Sequence, residues 1–107
     1  MISKFWEAAL DWNITYADET GVMLEKPENA VDAEKFPPIL FGKNPDKKVA
    51  KNRIHFDLRP DDQEQEVARL EKLGANRIEI GQSADPNTTW VVMADPEGNE
   101  FCVLKSV

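Results

Sequence analysis

The sharpest hydrophobic pattern in the chain lies at residues 52–58, where Ile54, Phe56 and Leu58 alternate with Arg53, His55 and Asp57. A period of two is the mark of a half-buried strand, with each set of residues on its own face. Residues 90–104, WVVMADPEGNEFCVL, read as two strands around a tight turn at Asp95-Pro96-Glu97-Gly98. Pro96 presets its own φ, and Gly98 supplies the permissive backbone that leaves the turn. Beyond it, Phe101 and Val103 alternate with Glu100 and Cys102.

The other elements follow from the same reading. Residues 3–10 predict a short helix capped by Ser3, with apolar i,i+4 pairs Phe5/Ala9 and Trp6/Leu10. Residues 12–17 predict a strand in which Trp12, Ile14 and Tyr16 oppose Asn13, Thr15 and Ala17; residues 22–25 return as a second. A polar loop over 26–35, a third strand over 38–43 and a basic connector over 46–52 complete the first half. After the strand at 52–58, Pro60 ends the run and Asp61, with Glu64 three residues on, predicts a capped helix over 62–73. Its apolar stripe is Val67, Leu70 and Leu73, and Gly74 stops it. Phe56 is expected beneath that helix. Residues 77–80 predict a further strand, and 81–87 a loop.

The two halves repeat. Leu10 and Leu73 end their helices, and Asn13 and Asn76 begin the strands that follow, each pair 63 positions apart. The strand at 52–58 has no counterpart in the first half, because its equivalent would fall before residue 1. The fold class is therefore α+β: tandem βαβββ modules, residues 1–46 and 52–107 of one domain, with the first module missing its leading strand.

Composition narrows the function. At 107 residues with 41% hydrophobic and 31% charged positions, the chain has enough apolar material for a core. Thirteen Lys and Arg against 20 Asp and Glu leave a net charge of −7, which disfavours nucleic acid and anionic membranes. No run is long and apolar enough to span a bilayer, and the start lacks the apolar core of a secretory signal. Cys102 is the only cysteine, which fits a reducing, cytoplasmic setting. Lys47, Lys48 and Lys51 read as a solvated connector.

FWEAALDW as the first helix, NRIHFDL as a strand and DPEGNEF opening the last strand resemble, in this order, the vicinal oxygen chelate superfamily. Within it the chain is most similar to glyoxalase-like domains grouped with bleomycin-resistance proteins. The resemblance implies paired modules forming a curved, mostly antiparallel sheet, with helices outside, around a small-molecule cavity between modules. Homodimers are common there, and a missing leading strand would expose a sheet edge, so a homodimer is expected. Metal-using members draw ligands from their first, fourth, fifth and eighth strands. Here the first is absent, Gly42 stands at the fourth-strand position, His55 at the fifth and Cys102, rather than a glutamate, at the eighth.

Each candidate carries two readings. His55 is a metal ligand or acid/base group, or else a histidine hydrogen-bonded in a polar cavity. Asp57 is expected at a strand-end or surface position, because same-face neighbours lie about 7 Å apart. Cys102 is read as a small buried hydrophobe over a ligand or nucleophile. Glu100 is a catalytic carboxylate, or a strand-end residue paired with Arg53 or Arg77. Tyr16 and Trp90 are expected to line the cavity with His55, Glu100 and Cys102, and Trp6 to be core. No metal cofactor is expected, His55, Cys102 and Glu100 being the weak candidates for one. The expected function is binding of a small organic molecule without a complete metal site. The alternative is a divalent-metal-dependent lyase, isomerase or dioxygenase, with His55 and Glu100 as catalytic candidates.

Overall fold

The computed structural model describes residues 2–27, 38–42, 55–79, 81 and 85–106. The chain divides into two units, Met1–Lys47 and Lys48–Val107. The first holds helix α1 (Ile2–Leu10) and strands β1 (Asn13–Asp18), β2 (Gly21–Glu25) and β3 (Ile39–Gly42), paired antiparallel in the order β1-β2-β3. The second holds β4 (Phe56–Leu58), helix α2 (Gln63–Lys72), β5 (Asn76–Arg77), β6 (Val91–Ala94) and β7 (Glu100–Val103). Its sheet runs β4-β7-β6-β5, with β4 parallel to β7 and the other pairs antiparallel. The α+β class read from the sequence stands. The basic connector over 46–52, most of the loop over 26–35 and the start of the strand over 52–58 lie outside the described residues.

In the first unit, α1 buries Phe5, Trp6 and Ala9 and packs against β2, whose Val22 and Leu24 are also buried. Phe5 and Trp6 meet edge to face, ring centroids 5.1 Å apart. Ser3 is not the cap. The helix already includes Ile2, and Ser3 sits buried in its first turn.

Strand β1 departs from the simple alternation. Ile14 pairs with Leu24, but Tyr16 pairs with Met23, so the register shifts between them. Opposed residues share a face and neighbours on β2 do not, so this bulge sends Ile14 to Leu24's buried face and Tyr16 to the other. The hairpin that follows is closed by Asp18. Its Oδ1 accepts from Thr20 N (2.8 Å), Thr20 Oγ1 (2.6 Å) and Gly21 N (3.2 Å), and its Oδ2 accepts from the Tyr16 hydroxyl (2.7 Å). The Thr20 hydroxyl, then that of Tyr16, hold the Asp18 carboxyl down at about 2, and the same bond raises the Tyr16 phenol. Gly21 is required by close approach: a Cβ there would stand 2.7 Å from the Phe41 carbonyl oxygen.

In the second unit the cap of α2 is Asp62, one residue later than the sequence suggests. Adjacent aspartates are equally good caps, and it is Asp62 that has the extended backbone and accepts from Gln65 N at 3.0 Å. Val67 and Leu70 are fully buried and Leu73 partly so. At the far end Ala75 N donates to Leu70 O (3.0 Å) and Gly74 N to Glu71 O (3.1 Å), with Gly74 at φ 112°. These are the two bonds of a Schellman stop, so glycine ends this helix for a conformational reason.

The hairpin turn is held by one carboxylate. Asp95 is buried, and its Oδ1 accepts from Glu97 N and Asn99 N, both at 2.9 Å, while Asn99 Nδ2 reaches Oδ2 at 2.9 Å. Gly98 takes φ 86°, as its place in the turn requires. The turn also touches the helix stop, since a Cβ on Gly74 would lie 3.3 Å from Pro96 Cγ.

Met93, Phe101 and Val103 form the core of this sheet, each at most 1% exposed, and α2 packs against β5 and β7. Phe56 shares their face, being in register with Phe101, yet it is 41% exposed. The expectation that the helix covers it is corrected: among the described residues β4 is the end strand of its sheet, and shared parity does not bring shared cover.

Two predictions follow from this packing. Phe101→Ala is expected to cost about 3–5 kcal/mol, the usual range for emptying a buried aromatic site, and Phe56→Ala well under half of that. Urea unfolding of both variants checks it, and equal losses would return Phe56 to the core. For Asp18 the folded value lies below the ordinary one. Its stabilisation is therefore full above about pH 4 and is lost as pH falls toward 2. A carboxyl titration by NMR should place Asp18 near 2, and Asp18→Ala should flatten the acid limb of the stability curve. An Asp18 midpoint near 4 would refute the hydrogen-bond assignment.

Candidate functional site

Parallel pairing of β4 with β7 puts Phe56 beside Phe101, Asp57 beside Cys102 and Leu58 beside Val103. Cys102 in turn faces Val92 on β6, and Glu100 faces Ala94. One face of the sheet therefore carries Asp57, Cys102, Val92 and Glu100. His55, two residues before Asp57, has the same parity. The sequence placed these polar side chains on two separate strands, and the pairing brings the strands together.

His55, Asp57 and Cys102 converge. One donor atom from each lies within 4.8 Å of the others. His55 Nε2 is 3.4 Å from Asp57 Oδ1, although both side chains keep substantial solvent exposure, at 38% and 56%. Asp57 is exposed, as the surface-or-strand-end reading expects, and its carboxylate nevertheless reaches His55. Backbone spacing does separate same-face neighbours, but strand side chains lean along the strand, and an imidazole is long enough to close the gap. The His-x-Asp alternation was the signal for this pair. Cys102 is buried, at 9% exposure, as its hydrophobe reading expects, while its sulfur still belongs to the cluster.

The other candidates are dispersed. Glu100 is half-buried at the start of β7 and lies outside the converging group. Arg77, one of its two expected partners, sits instead with its Nε 3.7 Å from Glu71 Oε2; Arg53 lies outside the described residues. Trp90 is half-buried immediately before β6. Tyr16 belongs to the first unit, 57% exposed, with its hydroxyl engaged by Asp18. Gly42 ends β3 in open space, where an added Cβ would meet nothing within 4 Å. Room for a ligand side chain exists there, and the sequence supplies none.

An imidazole, a carboxylate and a thiol are all metal donors, and together they suit a borderline or soft ion better than a hard one such as Mg²⁺. Residues His55, Asp57 and Cys102 would hold it, and a divalent ion there would polarise a ligand oxygen as a Lewis acid. The donor chemistry thus fits a metal, though not the ligand set of the metal-using pattern. Among the described residues no helix is long and apolar enough to cross a membrane.

Comparison with known proteins supports the fold. A protein of Agrobacterium tumefaciens solved by NMR matches with a TM-score of 0.66 at 12% identity, over 97% of this chain and 84% of that one. A glyoxalase/bleomycin resistance protein/dioxygenase family enzyme from Burkholderia phytofirmans PsJN matches at 0.63 and 15% identity, over 99% and 88%. An antibiotic-binding protein from Streptomyces sp. CB03234 matches at 0.54 and 18%, over 99% and 84%. At these identities the likeness is one of fold. No protein among the curated sequences matches the chain. The model of the glyoxalase-like domain matches residues 1–104, nearly the whole sequence. With that match over helix, strand and turn alike, the chain belongs to the glyoxalase-like domain family of the vicinal oxygen chelate superfamily.

Proposed function

We propose that this protein binds a small organic molecule carrying an aromatic or other flat apolar group, without the two-module metal set of the catalytic pattern. The observation that carries this reading is an apolar row left open on the first unit's sheet. Tyr16, Met23 and Leu40 are in register across β1, β2 and β3, on the face opposite Val22 and Leu24. Tyr16 and Leu40 are 57% and 64% exposed, and Met23 is half-buried. An aromatic ring flanked by a thioether and a branched aliphatic group is a platform for flat apolar ligands. The bond from Tyr16 to Asp18 holds the ring in place before any ligand arrives, which lowers the ordering cost of binding.

The names of relatives point the same way. One structural neighbour is an antibiotic-binding protein, and another is grouped with bleomycin resistance. The protein is also read as a homodimer, because among the described residues the two sheets end in β1 and β3 and in β4 and β5, and a sheet edge is a template for pairing with another chain.

Two measurements test the reading. In a panel of bleomycin and aromatic antibiotics, at least one compound should raise the melting temperature in a concentration-dependent way. Tyr16→Ala and Leu40→Ala should each weaken its binding about tenfold, roughly 1.4 kcal/mol. A panel with no stabilising compound, or binding indifferent to both substitutions, would reject the platform. Sedimentation at low micromolar concentration should give a dimer, and a cooperatively folded monomer there would remove the dimer reading.

A further inference from the structure

We infer that the aromatic ligand of the first unit's open sheet face carries a positive charge, as a flat ring system bearing a quaternary or protonated nitrogen. This deepens the proposed function and rests on its platform of Tyr16, Met23 and Leu40. The register that lines up those three side chains also puts a carboxylate on either side of their row. Along β2, Glu25 follows Met23 by two residues and so shares its face, opposite Asn13. Along β1, Asp18 follows Tyr16 by two, opposite Gly21, which in turn pairs with Gly42. Two residues of strand span about 7 Å, so each carboxylate acts on the row from within the screening length of roughly 8 Å at physiological salt.

Both carboxylates are held in place by hydrogen bonds. Thr15 Oγ1 donates to Glu25 Oε1 at 2.5 Å, and the Tyr16 hydroxyl donates to Asp18 Oδ2 at 2.7 Å while Asp18 Oδ1 serves the turn. The Thr20 and Tyr16 hydroxyls keep the Asp18 carboxyl at about 2, so it is ionised at neutral pH. A phenol that donates to a carboxylate is polarised toward a more electron-rich ring, and such a ring face attracts cations. The sheet offers no compensating base: β1, β2 and β3 contain no lysine or arginine, and Lys26 follows β2 outside the pairing. Beside Asp18 there is room for a ligand group, because Gly21 and Gly42 carry no side chain and a Cβ on Gly42 would meet nothing within 4 Å. On this face a neutral ring gains only the apolar contact, and an anionic one meets two like charges.

Three ligands of one shape test the charge: N-methylquinolinium, quinoline and a quinoline carboxylate, which at neutral pH are cationic, neutral and anionic. Each is titrated into the full chain at low salt and followed by NMR through the methyl groups of Met23 and Leu40. The cation should bind about tenfold tighter than quinoline, and the carboxylate weakest of the three. Added salt should narrow the cation-to-neutral ratio in the wild-type protein, a readout that needs no variant. Asp18→Asn keeps an acceptor oxygen for the turn and Glu25→Gln keeps one for Thr15. Each should lower the ratio, and the double variant should remove most of it. Because the ratio is taken within each protein, a loss common to both ligands, such as a loosened Tyr16 ring, cancels. Equal affinity for quinoline and its N-methyl cation, with both shifting those methyls, would overturn the charge inference and leave the platform standing. If none of the three shifts the methyls, the inference and the platform fall together. A ratio unchanged in the double variant would overturn the assignment to Asp18 and Glu25.

Discussion

The arrangement of the second unit hangs on the parallel register between β4 and β7. Three residue pairs define it, and a slip of one residue would exchange every face. In the observed register Phe56 and Leu58 join Phe101 and Val103 on the core face, while Asp57 meets Cys102 on the other. The register is specified because one face is strongly apolar: Met93, Phe101 and Val103 are essentially inaccessible to solvent, and no charged residue could replace them there without a large desolvation cost. The polar cluster is thus positioned by the hydrophobic face behind it.

Local chemistry keeps that register in place at both ends. Leu104 N donates to Leu58 O at 2.7 Å, which continues the pairing past the strand ends. At the β6–β7 turn, Asp95 satisfies two backbone N–H groups and the Asn99 side chain. Gln63, at the first position of α2, donates to both Thr89 O (2.8 Å) and Val103 O (3.0 Å), so the helix start is tied to the strands it covers. Each bond contributes on the order of 1 kcal/mol. Their shared effect is to remove alternative alignments.

The first unit solves a different problem with the same means. A bulge in β1 places Tyr16 on the open face, Gly21 lets β3 approach β2, and Asp18 closes the hairpin while restraining the Tyr16 ring. A structural role and the proposed binding role are therefore joined at Asp18. The carboxylate is held low by bonds that the turn needs for its own geometry.

The order and type of the elements were legible in the sequence, because period-two and period-3.6 patterns, proline, glycine and capping residues act locally. The repeat of the halves, the glycine stop at Gly74 and the Asp95–Gly98 turn all belong to that local code. So did the common parity of His55 with Asp57 and of Glu100 with Cys102. What only the tertiary structure decided depends on partners distant in sequence. The bulge at Thr15 is invisible to alternation, because an extra residue shows only against the strand beside it. Phe56 carries a core pattern but lies at a sheet edge, where cover depends on the neighbouring layer. Asp57 and Cys102 are 45 positions apart in sequence and adjacent in space, because a parallel pair requires an intervening crossover and no local signal states its register. Residue chemistry was fixed by sequence, and which donors meet was decided by strand pairing.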